Sequence, residues 1–373
     1  MPTLSAPEIL DGIRSWVEIE SQTADVEGVN RVMTRAAEDF SSVGARITRI
    51  PGTGGCGDHL RVASPWGGDG PGVLFLCHLD TVHPKGTLAG HLPFRVDGDR
   101  AYGPGIYDMK GGAYLAFAAY RAIAGAGKTT PLPIRILYVS DEETGSRTSR
   151  SLIEAEGANA KYVLVTEPAR DGGKIVTARK GVGRYVMTAH GRPAHSGGRH
   201  EDGRSAILEI ARHVVDIEGM TDYKRGLTFN IGQISGGTAD NVVPEHCSAT
   251  IDMRVRSVAD ADEMDRHFKA IKPYNRDVKL EIVGGLNRPP FEKNDGIARL
   301  FAHARTLAAE IGFELIDAST GGGSDGNFTA HKVPTLDGLG VDGNGAHTHQ
   351  EHLLISSLVP RTRLQQRLME TLQ

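Results

Sequence analysis

Three short apolar runs, GVLFLC (72–77), IRILYV (134–139) and YVLV (162–165), alternate with stretches of helical spacing, and this alternation most constrains what the chain can fold into. A run with almost no polar interruption suits a strand covered on both faces, and strand–helix alternation sets such strands side by side in a largely parallel sheet. Apolar spacing predicts two N-terminal helices, one through Ile9, Ile13, Trp16 and Val17, the other through Val29, Val32, Met33, Ala36 and Phe40. Further helices are expected over 112–124 and near 149–156. After Lys180 the pattern changes. Strand-like segments at 184–189, 227–234, 247–255 and 278–283 are separated by only two helical stretches, 204–217 and 260–271, which reads as an inserted α+β unit. A helix over 296–310, a strand over 313–316 and an amphipathic helix after Ser356 then restore the α/β alternation. The expected organisation is an α/β domain over 1–179 and 286–373, interrupted by a second domain over 180–285. The length of 373 residues agrees, because one core rarely grows beyond ~250–300 residues.

Charge and cysteine content narrow the partners. With 42 Lys plus Arg against 46 Asp plus Glu, the net charge of −4 favours neither nucleic acid nor an anionic membrane surface. Cys56, Cys77 and Cys247 cannot build a disulfide framework, which suits a reducing compartment, and Cys77 is assigned to the core. The longest apolar stretch, 113–126, is broken by Arg121 and falls short of the ~20 residues a membrane span needs. The N-terminal MPTLSAPEILDGIRSW lacks an apolar signal region. The expectation is a soluble, cytoplasmic protein.

The polar residues fall where such a sheet binds ligands. His78-Leu79-Asp80 follows the first apolar run, Asp141-Glu142-Glu143 the second, and Glu167 the third. The carboxyl ends of strands in an open α/β sheet line its ligand crevice. Asp108, in the glycine-rich GPGIYDMKGG (103–112), precedes a helix and can reach the same edge. Read singly, an acidic triplet is a solvated loop and a histidine after a strand is structural. Together they are converging acids, which repel unless a cation joins them. The charges of Asp108, Glu143, Glu167 and one hydroxide would balance two Zn2+, with neutral imidazoles from His78 and the His347-Thr348-His349 cluster completing the coordination. Co2+ or Mn2+ would suit the same donors.

Five segments, CHLDTV (77–82), GPGIYDMKGG (103–112), SDEETGS (140–146), VTEP (165–168) and GAHTHQE (345–351), resemble the dinuclear zinc amidohydrolases and peptidases that include glutamate carboxypeptidase, acetylornithine deacetylase, succinyl-diaminopimelate desuccinylase and aminoacylase. The glutamate carboxypeptidase branch is the most similar. The resemblance implies a zinc-peptidase-like catalytic domain with an inserted dimerisation and lid domain. It makes Asp108 the carboxylate that bridges two zinc ions, with His78 and Glu167 completing one and Glu143 and His347 the other. His347 is preferred to His349 because Glu351 stands four residues after it. Glu142 is implied as the general base, Asp80 as the partner that orients His78, and the Asp108–Met109 peptide as cis. GRPAHSGGRHEDGRSA (191–206) departs from the family's pattern at Ser196 and His200, yet implies that His195 acts in the partner subunit's site of a homodimer. Asn241, Arg254, Arg288, Gly323 and Ser324 are implied near the substrate, Arg288 holding its free carboxylate. The implied reaction is hydrolysis of an amide bond in a small peptide or N-acyl amino acid by a metal-bridging hydroxide, releasing a C-terminal or N-acylated amino acid. A deacylase of the acetylornithine type is the alternative.

Two motifs compete. Gly52-Thr-Gly-Gly-Cys-Gly57 fits a dinucleotide fingerprint, but precedes a β-like run where that fingerprint requires a helix. Gly322-Gly-Ser-Asp-Gly326 fits a nucleophile elbow and is followed by Asp337 or Asp342 and then His347, the order of a serine hydrolase triad on Ser324. That reading leaves His78, Asp108, Glu142, Glu143 and Glu167 unexplained. A solute or metal binder without catalysis would have no need of Glu142.

Overall fold

The run at 72–77 forms a strand buried along its whole length, and the rest of the first unit is arranged to cover it. The protein is described here by a computed structural model covering residues 4–373. Its elements begin with α1 (Ala6–Val17), α2 (Val26–Ser41), β1 (Arg46–Ile50), β2 (His59–Ala63), β3 (Gly72–His78), β4 (Arg95–Asp97) and β5 (Arg100–Tyr102). Next come α3 (Gly111–Gly125), β6 (Ile134–Val139), α4 (Arg150–Ala158), β7 (Ala160–Val165) and β8 (Ile175–Arg179). The changed pattern after Lys180 contains β9 (Gly181–His190), α5 (Ala206–Gly219), β10 (Thr228–Gly236), β11 (His246–Val255), α6 (Val258–Ala270) and β12 (Lys279–Arg288). The chain closes with α7 (Asp295–Ile311), β13 (Asp317–Thr320), β14 (Thr335–Leu336), β15 (Gly343–Asn344), β16 (His352–Leu354) and α8 (Leu358–Thr371). Two compact units result. The first runs to Ala178 and resumes over Lys293–Thr320 and Ser324–Gln373; the second is Arg179–Glu292 with Gly321–Gly323.

The main sheet of the first unit has the order β1-β2-β6-β3-β7-β14. Its site-bearing strands β6, β3 and β7, and β14 beyond them, run parallel, whereas β1–β2 and β2–β6 are antiparallel, so the sheet is mixed. The cause is the connection. A short turn joins β1 to β2, and only an antiparallel pair can be closed without a crossover helix. That turn carries the 52–57 glycines, which therefore serve a hairpin. Helix α3 is buried almost all round, as an apolar helix against a sheet must be. At Gly112 an added Cβ would lie 2.0 Å from the Thr166 carbonyl oxygen, so the helix start can approach the end of β7 only as glycine. Trp16 packs edge to face on Tyr138, and Phe40 on Phe117 of this helix, the latter pair with centroids 4.9 Å apart.

One strand lies later than expected. The 313–316 segment is irregular and β13 begins at Asp317, because Gly312 takes a left-handed conformation and the Phe313 N–H closes the end of α7 on Ala308. Among the described residues no helix is long and apolar enough to cross a membrane.

The second unit is an antiparallel sheet, β10-β11-β9-β12, whose strands alternate between buried and exposed residues. Tyr185, Met187 and Ala189 belong to its core with Ile210 of α5 and Phe268 of α6, while Arg184 and Val186 are exposed. Its last strand continues past Gly284-Gly285, where the sequence pattern placed the domain boundary, because both glycines stay paired with Tyr185 and Arg184. Gly284 has φ 140° and a Cβ there would lie 2.2 Å from the Arg184 carbonyl oxygen. Gly284→Ala is expected to lower stability by roughly 1–3 kcal/mol, read as an earlier midpoint in urea unfolding; an unchanged midpoint would contradict so close an approach.

Candidate metal centre

Carboxylates and imidazoles gather at the carboxyl ends of β3, β6 and β7. His78 is the last residue of β3, Glu142 and Glu143 open the turn after β6, and Glu167 follows β7. Asp108 comes from the tight turn before α3, and its peptide bond to Met109 is cis, as the resemblance implies. His347 arrives on a late loop at φ 64°, a conformation rare for a residue with a side chain and found where the surroundings impose it.

The Asp108 carboxylate faces two ways. Its Oδ1 lies 3.3 Å from His78 Nε2, which is 3.7 Å from Glu167 Oε1. Its Oδ2 lies 3.3 Å from His347 Nε2, which is 3.2 Å from Glu143 Oε2. Donor atoms of His78, Asp108 and Glu143, and separately of His78, Glu142 and Glu167, all fall within 4.8 Å of one another. Of the two candidate histidines, His347 enters the cluster, whereas His349 stacks on His91 with centroids 4.8 Å apart.

Two buried atoms test whether this cluster suits a cation. His78 Nε2 and Glu143 Oε1 are both buried with no hydrogen-bond partner. Such orphans cost ~1–3 kcal/mol each, and a bound cation satisfies both. The electrostatics agree. Hydrogen bonds to Asp108 and Glu143 push the His347 imidazole up to about 11. Burial opposes charge on His78, yet Asp108 and Asp80 hold its pKa well above the ordinary value. Burial likewise opposes charge on Asp108, but His347 and His78 keep it ionised far below the usual carboxylate range, while burial raises Glu143. The acids thus draw positive charge onto both rings, and a divalent cation competes with protons for the same nitrogens. Imidazole and carboxylate donors in this number suit zinc, cobalt or manganese.

The sequence profile of Peptidase family M20/M25/M40 matches residues 74–371, a span that takes in every residue of this cluster. The chain belongs to this family. It is 31% identical over 363 residues to carboxypeptidase G2 of Pseudomonas sp. (strain RS-16), a match covering 95% of this chain and 86% of that protein. It is 27% identical over 320 residues to a succinyl-diaminopimelate desuccinylase of Verminephrobacter eiseniae (strain EF01-2), covering 81% and 78%. A tripeptidase from Staphylococcus aureus shares the fold, with a TM-score of 0.79 at 20% identity over 99% and 98% of the two chains. This M20 chain is a hydrolase, a metal-dependent peptidase or amidohydrolase.

Around the M20 cluster, backbone hydrogen bonds do much of the positioning. Asp80 is fully buried; its carboxylate accepts from Thr23 Oγ1 at 2.7 Å and from the amides of Glu142 and Glu143, each at 3.2 Å. His78 Nδ1 is 2.9 Å from the Asp80 main-chain oxygen and 3.5 Å from its carboxylate. The expected orienting bond is therefore made by the carbonyl, and the carboxylate is turned to the Glu142–Glu143 turn. Either acceptor puts the proton on Nδ1 and leaves Nε2 facing Asp108. Asp141 closes the same loop by accepting from Thr148 and Ser149. Sequence reasoning missed Thr23, His83 and the role of Asp141, because nothing in their spacing marks a buried acceptor or donor.

The second unit of the M20 chain holds most of the remaining candidates. His195 is exposed, and its Nδ1 accepts from the amides of Gly197 and Gly198, both at 3.1 Å. The Ser196 amide donates to the Asn241 carbonyl, which ties the two loops together. Arg254 is already held in two places by Asp252, at 2.6 and 3.0 Å. Arg288 is buried at the end of β12, and a Cβ on Gly323 would meet its Cδ at 2.8 Å. In the first unit, Ser324 differs from expectation. It is fully buried, donates to Asp337 at 2.5 Å and accepts from the Gly326 amide, capping a short turn. A hydroxyl so engaged neither lines an open pocket nor serves as the nucleophile of a serine hydrolase.

Proposed function

We propose that this M20 hydrolase cleaves an amide bond to release a C-terminal or N-acylated amino acid, in the manner of a glutamate carboxypeptidase, at a two-zinc centre held by His78, Asp108, Glu143, Glu167 and His347. The observation that carries this reading is the divided Asp108 carboxylate, one oxygen toward His78 and Glu167, the other toward His347 and Glu143. Bound zinc, or cobalt or manganese, supplies Lewis acidity that polarises a carbonyl and makes water acidic near neutral pH. Glu142, whose carboxylate lies within 4.8 Å of His78 and Glu167 donors, takes a proton from the attacking water and passes it to the amide nitrogen as the C–N bond breaks. The Gly197 and Gly198 amides occupy His195 Nδ1, which leaves Nε2 as a donor for the oxyanion. We assign that donor to the partner subunit's reaction in a homodimer. Arg288, with Asn241, Arg254 and Gly323, would hold the substrate, the planar guanidinium gripping its carboxylate. Free Cys56, Cys77 and Cys247 support a cytoplasmic setting.

The likeness to a desuccinylase supports deacylation of an N-acyl amino acid as the second reading. A panel of folyl-type and γ-glutamyl conjugates, dipeptides and N-acyl amino acids separates the two. Hydrolysis of conjugates with a C-terminal glutamate, abolished by chelation and restored by zinc, is expected. Preference for acetylornithine would establish the deacylase, and no turnover of any member by zinc-loaded protein would overturn both.

A further inference from the structure

Glu351 stands four residues after His347, is fully buried, and has no part in the reaction as described. Its Oε1 accepts from the amides of Tyr107 and Asp108, both at 2.9 Å. Its Oε2 accepts from the Gly105 amide at 3.0 Å and lies 2.5 Å from Nε2 of His83, itself buried. An ionised carboxylate offers about four acceptor sites, and all four are used. Burying a lone carboxylate is unfavourable, so an anchor of this kind persists only where each bond is made. Three loops meet on this one side chain: the loop bearing His347, the turn bearing Asp108, and the segment that leads on from His78.

We infer that Glu351, paired with His83, is a positioning residue that holds Asp108 and His347 in mutual register, and so sets the affinity of the centre for metal without touching it. This rests on the reading that Asp108 and His347 hold metal. The Asp108 amide is bonded directly to Glu351, so the backbone that carries the shared carboxylate is pinned at its root. The same side chain sits on the loop that must hold His347 at positive φ. Displacing it frees both ends of the Asp108–His347 pair at once.

Glu351→Gln tests this at nearly constant volume, because it presents an NH2 group where the Gly105 amide and His83 now find an acceptor. Zinc affinity, measured by competition with a chromophoric chelator, is expected to fall roughly 10- to 100-fold, with a changed visible spectrum of the cobalt-loaded protein and an unaltered far-ultraviolet circular dichroism spectrum. Zinc binding within twofold of wild type and an identical cobalt spectrum would overturn the inference. If the Gln variant does not fold, His83→Gln decides, since it leaves the three amide bonds in place: a several-fold loss of zinc affinity supports the role, and wild-type affinity refutes it. Failure of the wild-type protein itself to bind zinc would instead refute the metal reading on which the inference stands.

Discussion

Replacing Glu142 with Gln lowers kcat by roughly 10²–10⁴-fold while the zinc content stays that of the wild type. The two halves of this result are separable because Glu142 lies outside the two pairs that share Asp108. Its main-chain amide, which Asp80 holds, survives the substitution, so the turn and Glu143 keep their place. What is lost is the carboxylate proposed to carry a proton from water to the leaving nitrogen. Elemental analysis of the dialysed variant and steady-state kinetics on a conjugate with C-terminal glutamate make the check. A variant that keeps near-normal kcat would remove Glu142 from proton transfer, and one that loses zinc would place it among the ligands.

Asp108→Ala is expected to have the largest effect of any single change, taking activity below detection and bound zinc from about two ions to less than one. Other residues of the cluster meet one imidazole–carboxylate pair, whereas the two oxygens of Asp108 meet both. Glu143→Ala should therefore be milder, weakening the side that includes His347 while leaving His78 and Glu167 together. Metal stoichiometry on the two variants side by side gives the comparison, and two retained zinc ions in Asp108→Ala would end the shared-carboxylate reading.

Much of this centre was legible because its members occupy positions that periodicity marks. His78, Glu142, Glu143 and Glu167 each follow an apolar run, and a run of that kind declares both a buried strand and the edge at which it ends. His347 against His349 is another matter. The four-residue spacing to Glu351, which the resemblance supplies, favoured His347, whereas the positive φ at which its backbone is held leaves no mark in hydrophobic periodicity. The GxSxG pattern at Ser324, set aside in the sequence because it leaves the acids unexplained, is a decoy for a related reason: the motif records residue types, while burial and the bond to Asp337 decide what the hydroxyl can do. Strand direction at the β1–β2 edge depended on the length of a connection rather than on the strands themselves. The continuation of β12 through Gly284-Gly285 was hidden because paired glycines read as a break, although here they permit two backbones to touch. Strands of two or three residues, such as β14 and β15, carry no period to read.

The grip of Asp80 on consecutive amides has a consequence for how this enzyme can change. Glu142 and Glu143 are neighbours in the chain and hang from the same carboxylate, so they form a single mechanical part. On the proposed roles, a substrate that shoves Glu142 also tugs Glu143, and a substitution chosen to retune metal preference through Glu143 will detune the timing of bond cleavage. Independent adjustment of the two would first require that Asp80 let one of them go.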